Sequence, residues 1–573
     1  MTTILMIPPV SGNRNSITVN SRTYSSLPNM AIAVQSFDVP MLSANGWMAV
    51  TYPNAATAGI GYWETLDNTP GGGVYLPGSP AVAIGMKRLV AGYNGPAINI
   101  TAGGVTSDIY FNTVNDNISF TQLYSFLNGN VGTVNIIYNQ GTAAGNATLP
   151  SATYGTPASL PIVLPWGWNA SGVLPNNFNL LIQGLPAIYL GWDVNETSNF
   201  NNVTSSWFGL PSVGAGNSNN CSALWAGRLM TSRSSKGCLF YYDVPSPSSY
   251  PAMAMMSYGG LPTNQHSGWF GPAGSTAYTT QGAFPAQPMC VGFTSAPSGT
   301  GNLRWFSNGS MVEADTNATS QAFATTQSNL LGNAGPSGEY SIWYETTQEF
   351  IGHAFWNGTV LTDQQMAQAS SALMPPPPVS DQLLVLDGDS ILYGYRALCG
   401  MNMVRIAEPL LRMPSKIINL GVPSQTEANI ATYNTATSNL LAANNAWKNR
   451  VYVIQSGIND IVGGTTGATL WTNTATWLAA IKSAQSEVKC GACTLIDYQN
   501  GAYATQVAAY NSALKAAVGG GTLDFAVDFA AIPVAQNSTN RAYFNADKIH
   551  PEIPLYALMA PVLAAGINSI SPI

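Results

Sequence analysis

The sequence predicts a multidomain protein in which an all-β N-terminal part precedes a C-terminal α/β part. At 573 residues the chain exceeds what one hydrophobic core usually covers. Apolar runs at 134–138 and 180–182 are short and separated by Gly, Pro, Asn and Ser clusters, which is typical of the strands of a β-sandwich. Beyond residue 380, strand-like apolar runs recur at the spacing of βα units. We therefore expect two fold classes in one chain.

The first 50 residues predict a small β module. Residues 17–24 and 43–47 carry this pattern, which is similar to the N-terminal segments of phage structural proteins. The resemblance implies an attachment element. Residues 51–373 are then expected to form the β-sandwich.

Part of that sandwich resembles a saccharide-cleaving domain. Segments 87–89, 92–98 and 136–141 are similar to the start of the arabinofuranosidase B catalytic domain, which implies a concanavalin-like β-sandwich. The sequence departs from that family at Asn139, where the family has Asp, and no acidic residue stands at 331–334. Glycoside hydrolysis requires two carboxylates, so this departure disfavours glycosidase activity.

The role of the sandwich stays open between saccharide binding, a purely structural role and retained glycosidase activity. Asp193 and Glu196 are available carboxylates, but no motif fixes them at a site. Tryptophans in this region either fill the core or stack on sugar rings in a groove. They are Trp166, Trp168, Trp192, Trp207, Trp225 and Trp269.

A proline run marks the boundary between the two parts. Residues 363–373 predict a helix, and the four consecutive prolines at 375–378 cannot continue it. Residues 374–380 are therefore expected to form a stiff linker with few contacts crossing it. The α/β domain is expected over residues 381–573.

Three polar signals in this domain each follow an apolar run. Ser390 ends Gly388-Asp389-Ser390 after the run 383–386, Gly421 follows 417–420, and Asn459 follows 451–454. Such runs predict buried parallel strands, whose carboxyl ends meet at one edge of the sheet. Asn459 could instead cap a helix, and the glycines could serve only as turn residues. The ordered set favours a common site.

The pairing of Ser390 with His550 predicts nucleophilic catalysis. A serine hydroxyl needs a neighbouring imidazole to accept its proton, and the imidazole needs a carboxylate that fixes its tautomer. His550 is the one histidine in the last two hundred residues, and Asp547 lies three residues before it. One short loop is expected to bring Asp547 and His550 together.

Four sequence blocks therefore occur in order: Gly388-Asp389-Ser390, Gly421, Asn459, and Asp547 with His550. They resemble the SGNH (GDSL-like) hydrolase family over about residues 381 to 573. The resemblance implies a three-layer α/β fold with Ser390 as nucleophile, His550 as general base and Asp547 as its orienting acid. It also implies an oxyanion hole formed by the Ser390 and Gly421 backbone amides and the Asn459 side chain. No metal or organic cofactor is expected.

Composition limits the remaining possibilities. Charged residues make up only 8% of the chain, the net charge is −7, and no basic run occurs, so nucleic-acid binding is not expected. The apolar stretch 555–567 is short and contains Pro561, so we expect a helix packed on the sheet and no membrane span. No N-terminal signal peptide is evident in residues 1–14. A neutral, β-rich and aromatic-rich chain without an export signal is unusual for a cytosolic enzyme and suits a virion protein released by lysis, so a virion or extracellular location is expected.

The six cysteines leave the redox compartment open. Cys221 could pair with Cys238, and Cys490 could pair with Cys493, whereas Cys290 and Cys399 have no evident partner. Cys490 and Cys493 have the spacing of a redox dithiol but precede a strand-like run at 494–496. A redox or zinc role is disfavoured.

Together, these features predict a serine carbohydrate esterase on a β-rich stalk. The expected reaction is deacylation, most simply deacetylation, of a surface polysaccharide or exopolysaccharide by a phage spike, fibre or decoration protein. We expect a homo-oligomer that also contacts other virion proteins. The alternative is a virion adhesin for host recognition, whose hydrolase domain is vestigial.

Overall fold

The computed structural model describes most of the β-rich part and nearly all of the C-terminal part. The described residues are 3–7, 16–19, 22–25, 32–35, 42, 48–50, 67–68, 72–149, 160–164, 181–190, 207–229, 237–242, 253–258, 265–270, 288–297, 302–315, 323, 330–331, 348–374, 381–395, 402–413, 415–443, 447 and 449–571. Prolines 375–378, Asp193, Glu196, Cys399, Trp166, Trp168, Trp192 and residues 332–334 lie outside them, as do the side chains of Cys238 and Trp269.

The N-terminal segment contains two small antiparallel sheets. One has the strand order β4-β1-β5, and the other pairs β2 with β3. These strands are β1 Thr3–Ile7, β2 Ser16–Val19, β3 Arg22–Ser25, β4 Ile32–Gln35 and β5 Met48–Val50.

The middle part, which we call the β region (residues 72–374), is antiparallel. Apart from the hairpin β12–β13, its strands join one network that closes on itself. The strands are β6 Val82–Gly85, β7 Pro96–Ala102, β8 Val105–Tyr110, β9 Gly132–Ile137, β10 Ala147–Thr148, β11 Ile162–Val163, β12 Leu181–Ile182, β13 Leu185–Pro186, β14 Ile188–Leu190, β15 Phe208–Gly209, β16 Cys221–Leu229, β17 Gly237–Tyr242, β18 Met253–Tyr258, β19 Gln265–Phe270, β20 Met289–Ser295, β21 Leu303–Ser307, β22 Ser310–Asp315, β23 Leu330–Leu331 and β24 Gln348–Asn357. Its helices are α1 Phe120–Leu127 and α2 Asp363–Leu373.

The predicted predominance of β structure in this part of the chain is confirmed. The predicted helix at 363–373 is also present, and a capping box between Thr362 and Gln365 fixes its start. Trp207 and Trp225 are buried, the latter completely. Their burial supports a role in filling the core and not in stacking on sugar rings in a groove.

The segment that departs from the arabinofuranosidase pattern is held by backbone contacts. The Asn139 side chain accepts hydrogen bonds from two backbone amides, those of Ala83 and Gly141, and Gln140 bridges Leu89 and Lys87. Because both amide side chains are satisfied by the main chain, they serve to fasten neighbouring loops.

The C-terminal region (residues 381–571) is built on a parallel sheet. Its strand order is β26-β25-β27-β28-β29, and every pairing is parallel. The strands are β25 Gln382–Gly388, β26 Ser415–Asn419, β27 Asn449–Gln455, β28 Lys489–Cys493 and β29 Phe525–Val527. The helices are α3 Ser390–Tyr393, α4 Met403–Ala407, α5 Glu427–Thr432, α6 Asn434–Ala443, α7 Ile458–Val462, α8 Gly467–Ala484, α9 Ala504–Ala516 and α10 Ile553–Ile570.

Helices cover both faces of this sheet. Leu384 and Leu386 of β25 share a buried core with α4 and α10, whereas Leu383 and Val385 share another with α8 and α9. This alternation follows from the two-residue period of a strand, and apolar residues on both faces explain the continuous apolar runs in the sequence.

Helix α10 is longer than the apolar stretch that predicts it. Among the described helices, it is the one long and apolar enough to cross a membrane. It packs on the sheet beside β29 and buries Leu555, Tyr556 and Leu563 in the core, so the structure places it as a core helix. Pro561 lies inside the helix on an exposed position.

The possible disulfide between Cys490 and Cys493 is wrong. Both residues lie on β28, which replaces the strand predicted at 494–496, and both are free thiols. Cys490 faces one core and Cys493 the other. Residues three apart on a strand have Cα atoms about 10 Å apart, which is too far for a disulfide.

The prediction of few contacts across the proline linker is also wrong. Ile162, Leu164 and Tyr189 of the β region belong to the same buried core as α4 and α10. Arg405 of α4 donates to Glu349 of β24 at 3.2 Å, and both side chains are buried. Proline composition describes the stiffness of a linker, whereas these contacts are made by residues far from it in sequence.

We expect residues 375–573 alone to be less stable than the same region in the full chain. Removal of the β region exposes apolar surface and leaves Arg405 without its buried carboxylate partner. Near-ultraviolet circular dichroism and thermal unfolding would measure the loss of packing. A fragment with the unfolding midpoint of the full chain would contradict this.

Candidate active site

Ser390 stands at the junction of β25 and α3. The strand ends at Gly388, and the Asp389 side chain caps the helix by accepting the Ile391 backbone N–H at 2.9 Å. Ser390 is the first residue of α3, so its own backbone N–H has no acceptor within the helix. The Oγ is therefore held at the carboxyl edge of the sheet beside an N–H group that can bind an anion.

Asp547 and His550 lie in one tight turn. Asp547 Oδ1 accepts the backbone N–H groups of Ile549 and His550, at 2.9 and 3.1 Å. Lys548 takes the left-handed conformation, with φ 58°, and its carbonyl accepts the Gln499 N–H. This turn holds the Asp547 carboxylate against the imidazole of His550.

The structure brings Ser390, His550 and Asp547 into one hydrogen-bonded line. His550 Nδ1 lies 2.7 Å from Asp547 Oδ2, and His550 Nε2 lies 2.8 Å from Ser390 Oγ. A carboxylate only accepts, so the shared proton belongs to Nδ1 and the Nε2 lone pair faces the serine hydroxyl. This tautomer can remove the proton from Ser390.

The electrostatics keep Asp547 ionised. Burial by itself raises the pKa of Asp547, but hydrogen bonds from the His550 side chain and the turn amides outweigh it and lower the pKa to about 2. The carboxylate is therefore negative at neutral pH and can stabilise an imidazolium.

Gly421 packs against α3, the helix that begins with Ser390, but already uses its N–H. The Val422 N–H donates to Gly388, which brings the two loops together. A Cβ at Gly421 would lie 2.7 Å from the Tyr393 backbone nitrogen, so only glycine fits. The Gly421 N–H donates to Asn419 Oδ1 at 2.9 Å, an interaction that the sequence did not indicate.

Asn459 does not cap its helix. The N-cap of α7 is Gly457, which makes no side-chain cap. Asn459 Nδ2 instead donates to the Gln425 carbonyl at 2.8 Å, and an amide nitrogen carries a second proton. One donor of Asn459 therefore fixes the side chain, and the other can serve a ligand.

Two tyrosines at the site were missed from the sequence. The ring of Tyr395 packs edge-on against His550, with 4.8 Å between ring centroids. Tyr556 of α10 donates to the Ile391 carbonyl at 2.9 Å and so ties the core helix to α3. Aromatic residues are frequent in this chain, and neither tyrosine lies in a motif, so sequence spacing offered no signal for them.

Buried carboxylates lie behind the site. Burial, together with the negative charge of Asp460, raises the pKa of Asp389 to about 7. Among the described residues, Asp389 Oδ2 has no hydrogen-bond partner. Burial likewise raises the pKa of Glu427 to about 8, although Thr474 donates a hydrogen bond to it. These carboxyl groups are therefore at least partly neutral near pH 7.

Comparison with known proteins gives remote structural similarity. No protein-family model matches the chain, and no curated protein matches it. Solved structures similar to it include lipolytic G-D-S-L proteins and arabinofuranosidases. A lipolytic G-D-S-L protein from Veillonella parvula is 19% identical, with a TM-score of 0.28, over 32% of this chain and 97% of that chain.

Two further solved structures are similar to it. A psychrotrophic esterase from a Pseudoalteromonas species is 14% identical, with a TM-score of 0.27, over 33% of this chain and 97% of its own. An arabinofuranosidase complexed with arabinofuranosyl-α-1,2-xylobiose is 12% identical, with a TM-score of 0.33, over 52% of this chain and 62% of its own. Because these scores are low, the side-chain geometry is what indicates the chemistry of the site.

We expect Asp389→Asn to flatten the pH dependence of stability. The folded-state pKa of Asp389 is raised from 3.8 to about 7. Its contribution is therefore fully present below about pH 4 and is lost as the pH rises through about 7. The free energy of unfolding from urea titrations at pH 4 to 8 should fall less steeply in the variant than in the wild type.

The exposed Asp381 provides the matched control. Because Asp381→Asn makes the same chemical change at an exposed position, the Asp389→Asn curve is compared with it. An Asp389→Asn curve that is parallel to the Asp381→Asn curve would show that the Asp389 carboxyl group does not titrate in that range.

Proposed function

We propose that this protein is a serine esterase that removes acyl groups, most simply O-acetyl groups, from a polysaccharide. The observation that carries the proposal is the continuous hydrogen-bonded line from Ser390 through His550 to Asp547. It supplies a nucleophile, a base with the required free lone pair, and a carboxylate that holds the base. An intact line of this kind favours an active enzyme over an adhesin with a vestigial site.

In the proposed reaction, His550 Nε2 takes the proton of Ser390 as Oγ attacks the ester carbonyl. The tetrahedral intermediate collapses, and the alcohol of the sugar leaves with the proton that His550 returns to it. Water then loses a proton to His550 and attacks the acyl-serine. The carboxylic acid departs, and Ser390 recovers its proton.

The oxyanion is proposed to be bound at the amino end of α3. Its proposed donors are the Ser390 N–H, which has no acceptor within α3, and the second proton of the Asn459 amide. Gly421 can contribute by sharing the N–H that it now donates to Asn419. Preorganised donors of this type stabilise charge only as it develops.

The substrate class and the setting rest on the sequence. The β region resembles a saccharide-type sandwich, and a surface with few charges and many neutral polar residues suits contact with a neutral glycan. We propose an O-acetylated surface polysaccharide as substrate and a virion or extracellular location. Assembly as a homo-oligomer with other virion proteins is part of the same proposal.

Ser390→Ala should abolish ester hydrolysis and leave the fold intact. The variant removes the attacking oxygen, whereas the 6% exposed position tolerates the loss of one hydroxyl. The release of p-nitrophenol from p-nitrophenyl acetate measures the activity, and thermal unfolding measures the fold. His550→Ala should be similarly inactive. Wild-type turnover in either variant would refute the assignment.

Asn459→Ala should reduce kcat by about a hundredfold to a thousandfold, the usual effect of deleting one oxyanion donor. KM should change much less, because the donor acts on the transition state. Asn459→Asp is the matched variant, since it keeps the size of the side chain and removes both amide protons. Full activity in Asn459→Asp would exclude the oxyanion role.

The full chain should release acetate from an O-acetylated polysaccharide, and a chelator should not change the rate. Acetate can be measured enzymatically, with Ser390→Ala and the chemically deacetylated polymer as controls. Hydrolysis of p-nitrophenyl acetate without any acetate from acetylated polymers would leave an esterase of a different substrate class. Inhibition by the chelator would contradict the serine mechanism.

A further inference from the structure

A cluster of four charged side chains, three of them buried, joins the β region to the C-terminal region. Arg228 and Glu349 come from β16 and β24, and Arg405 and Glu408 come from α4 and the turn that follows it. Glu349 contacts Arg405 at 3.2 Å and Arg228 at 3.6 Å, and Arg228 contacts Glu408 at 2.9 Å. Glu349 is completely buried. Arg405 also contacts Glu408 at 3.8 Å. Each arginine therefore contacts one carboxylate from each region.

Strand register places Glu349 at the centre of this interface. Glu349 pairs with Tyr189 of β14 on one side and Arg228 of β16 on the other. Residues directly opposite each other on neighbouring strands point to the same face. Tyr189 belongs to the core of the C-terminal region, so this face of the β region is the one that packs against α4.

Charge balance in the cluster depends on Glu349. Burial lowers the pKa of Arg405, but the carboxylates of Glu349 and Glu408 outweigh it and raise the pKa. Without Glu349, two guanidinium groups would share Glu408 alone in a largely water-free site. Removal of one partner from a buried pair is costly, because the other charge stays without compensation.

Helix α4 is connected directly to the helix that carries Ser390. The N-cap of α4 is Asn402, whose Oδ1 accepts the Arg405 N–H at 2.9 Å. Asn402 Nδ2 donates to the carbonyl of Tyr393, the last residue of α3, at 3.0 Å. A Cβ at Gly394 would lie 2.6 Å from the Asn402 Cβ, so the two segments are in close backbone contact. A shift of α4 therefore displaces the end of a four-residue helix that begins with Ser390.

We propose that Glu349 of the β region is a positioning residue of the esterase site, acting on Ser390 through Arg405, Asn402 and Tyr393. The inference rests on the proposed esterase function. It makes the β region a required part of the catalytic unit in addition to any role in glycan binding. Because Glu349 does not touch the substrate, its loss should affect turnover through the placement of the nucleophile, while affinity for small esters is retained.

The test uses the full chain and the variant Glu349→Gln. We expect kcat for p-nitrophenyl acetate to fall by at least about tenfold, since displacement of a reacting group by a fraction of an ångström to one ångström has effects of this order. KM should stay within about twofold. The rate at which a phosphonate ester labels Ser390 should fall with kcat, because it reports the same attack.

Asp116→Asn is the matched control for a general loss of stability. Asp116 is a buried carboxylate of the β region bonded to Arg88 at 2.8 Å, and its side-chain partners all lie within the β region. All assays are run well below the unfolding midpoints. Asp116→Asn should lower the midpoint and leave kcat unchanged. An equal fall of kcat in both variants would reduce Glu349 to a stabilising residue and overturn the proposal.

Two further variants keep the test decisive if Glu349→Gln unfolds. Asn402→Ser retains the helix cap and removes the donor to Tyr393, so it should lower kcat without disturbing the ion cluster. Glu349→Gln combined with Arg405→Met removes both charges and should recover part of the lost turnover. Full turnover in Asn402→Ser, or additive losses in the double variant, would overturn the connection.

The outcomes also separate this inference from the function on which it rests. Wild-type activity that Ser390→Ala abolishes establishes the esterase, and unchanged kcat in Glu349→Gln then overturns the positioning role alone. A wild-type chain that neither cleaves the ester nor reacts with the phosphonate overturns both.

Discussion

The parallel register of β25, β26 and β27 is the constraint on which the candidate site depends. Gly388 pairs with Gln455, and Leu386 pairs with Asn419. β25 and β27 therefore end at the same level, and β26 ends opposite Leu386, two residues earlier on β25. The segments that follow these strands carry Ser390, Gly421 and Asn459 to one edge of the sheet. A shift of one residue in the register of β25 would exchange its two apolar faces. It would also direct the segment after β25, which carries Ser390, away from His550. The two buried cores thus hold the register, and the register holds the site.

Charges in this protein are few, and several are buried where they organise structure. The Asp547 carboxylate fixes the His550 imidazole, and Glu349 and Arg405 join two regions of the chain. A buried charge is stable only where hydrogen bonds or an opposite charge compensate it. Each of these groups therefore restricts the backbone around it to a narrow geometry. A site that needs an aligned serine and histidine benefits from such restriction.

The contact between the β region and α4 joins the two parts of the chain through a shared buried core. In the sequence, a β-rich part joined to an α/β part by a proline-rich segment suggests two independent bodies. The buried residues Ile162, Leu164 and Tyr189 instead complete a core that also holds Ile391, the residue after Ser390. The β region thus covers surface that the C-terminal region cannot cover alone, and the stability of one part depends on the other.

The sequence by itself determined the order of β and α/β structure, the strands β25 to β27 and the residues that meet at their edge. Apolar runs and turn residues are local properties, and Asp547 and His550 lie only three residues apart, so spacing was enough to group them. Only the tertiary structure decided which N–H groups are already used, as at Gly421, and which faces Cys490 and Cys493 occupy. It also decided the pairing of Glu349 with Arg405, because contacts between residues distant in sequence depend on how whole sheets and helices pack. No local pattern of residues encodes that packing.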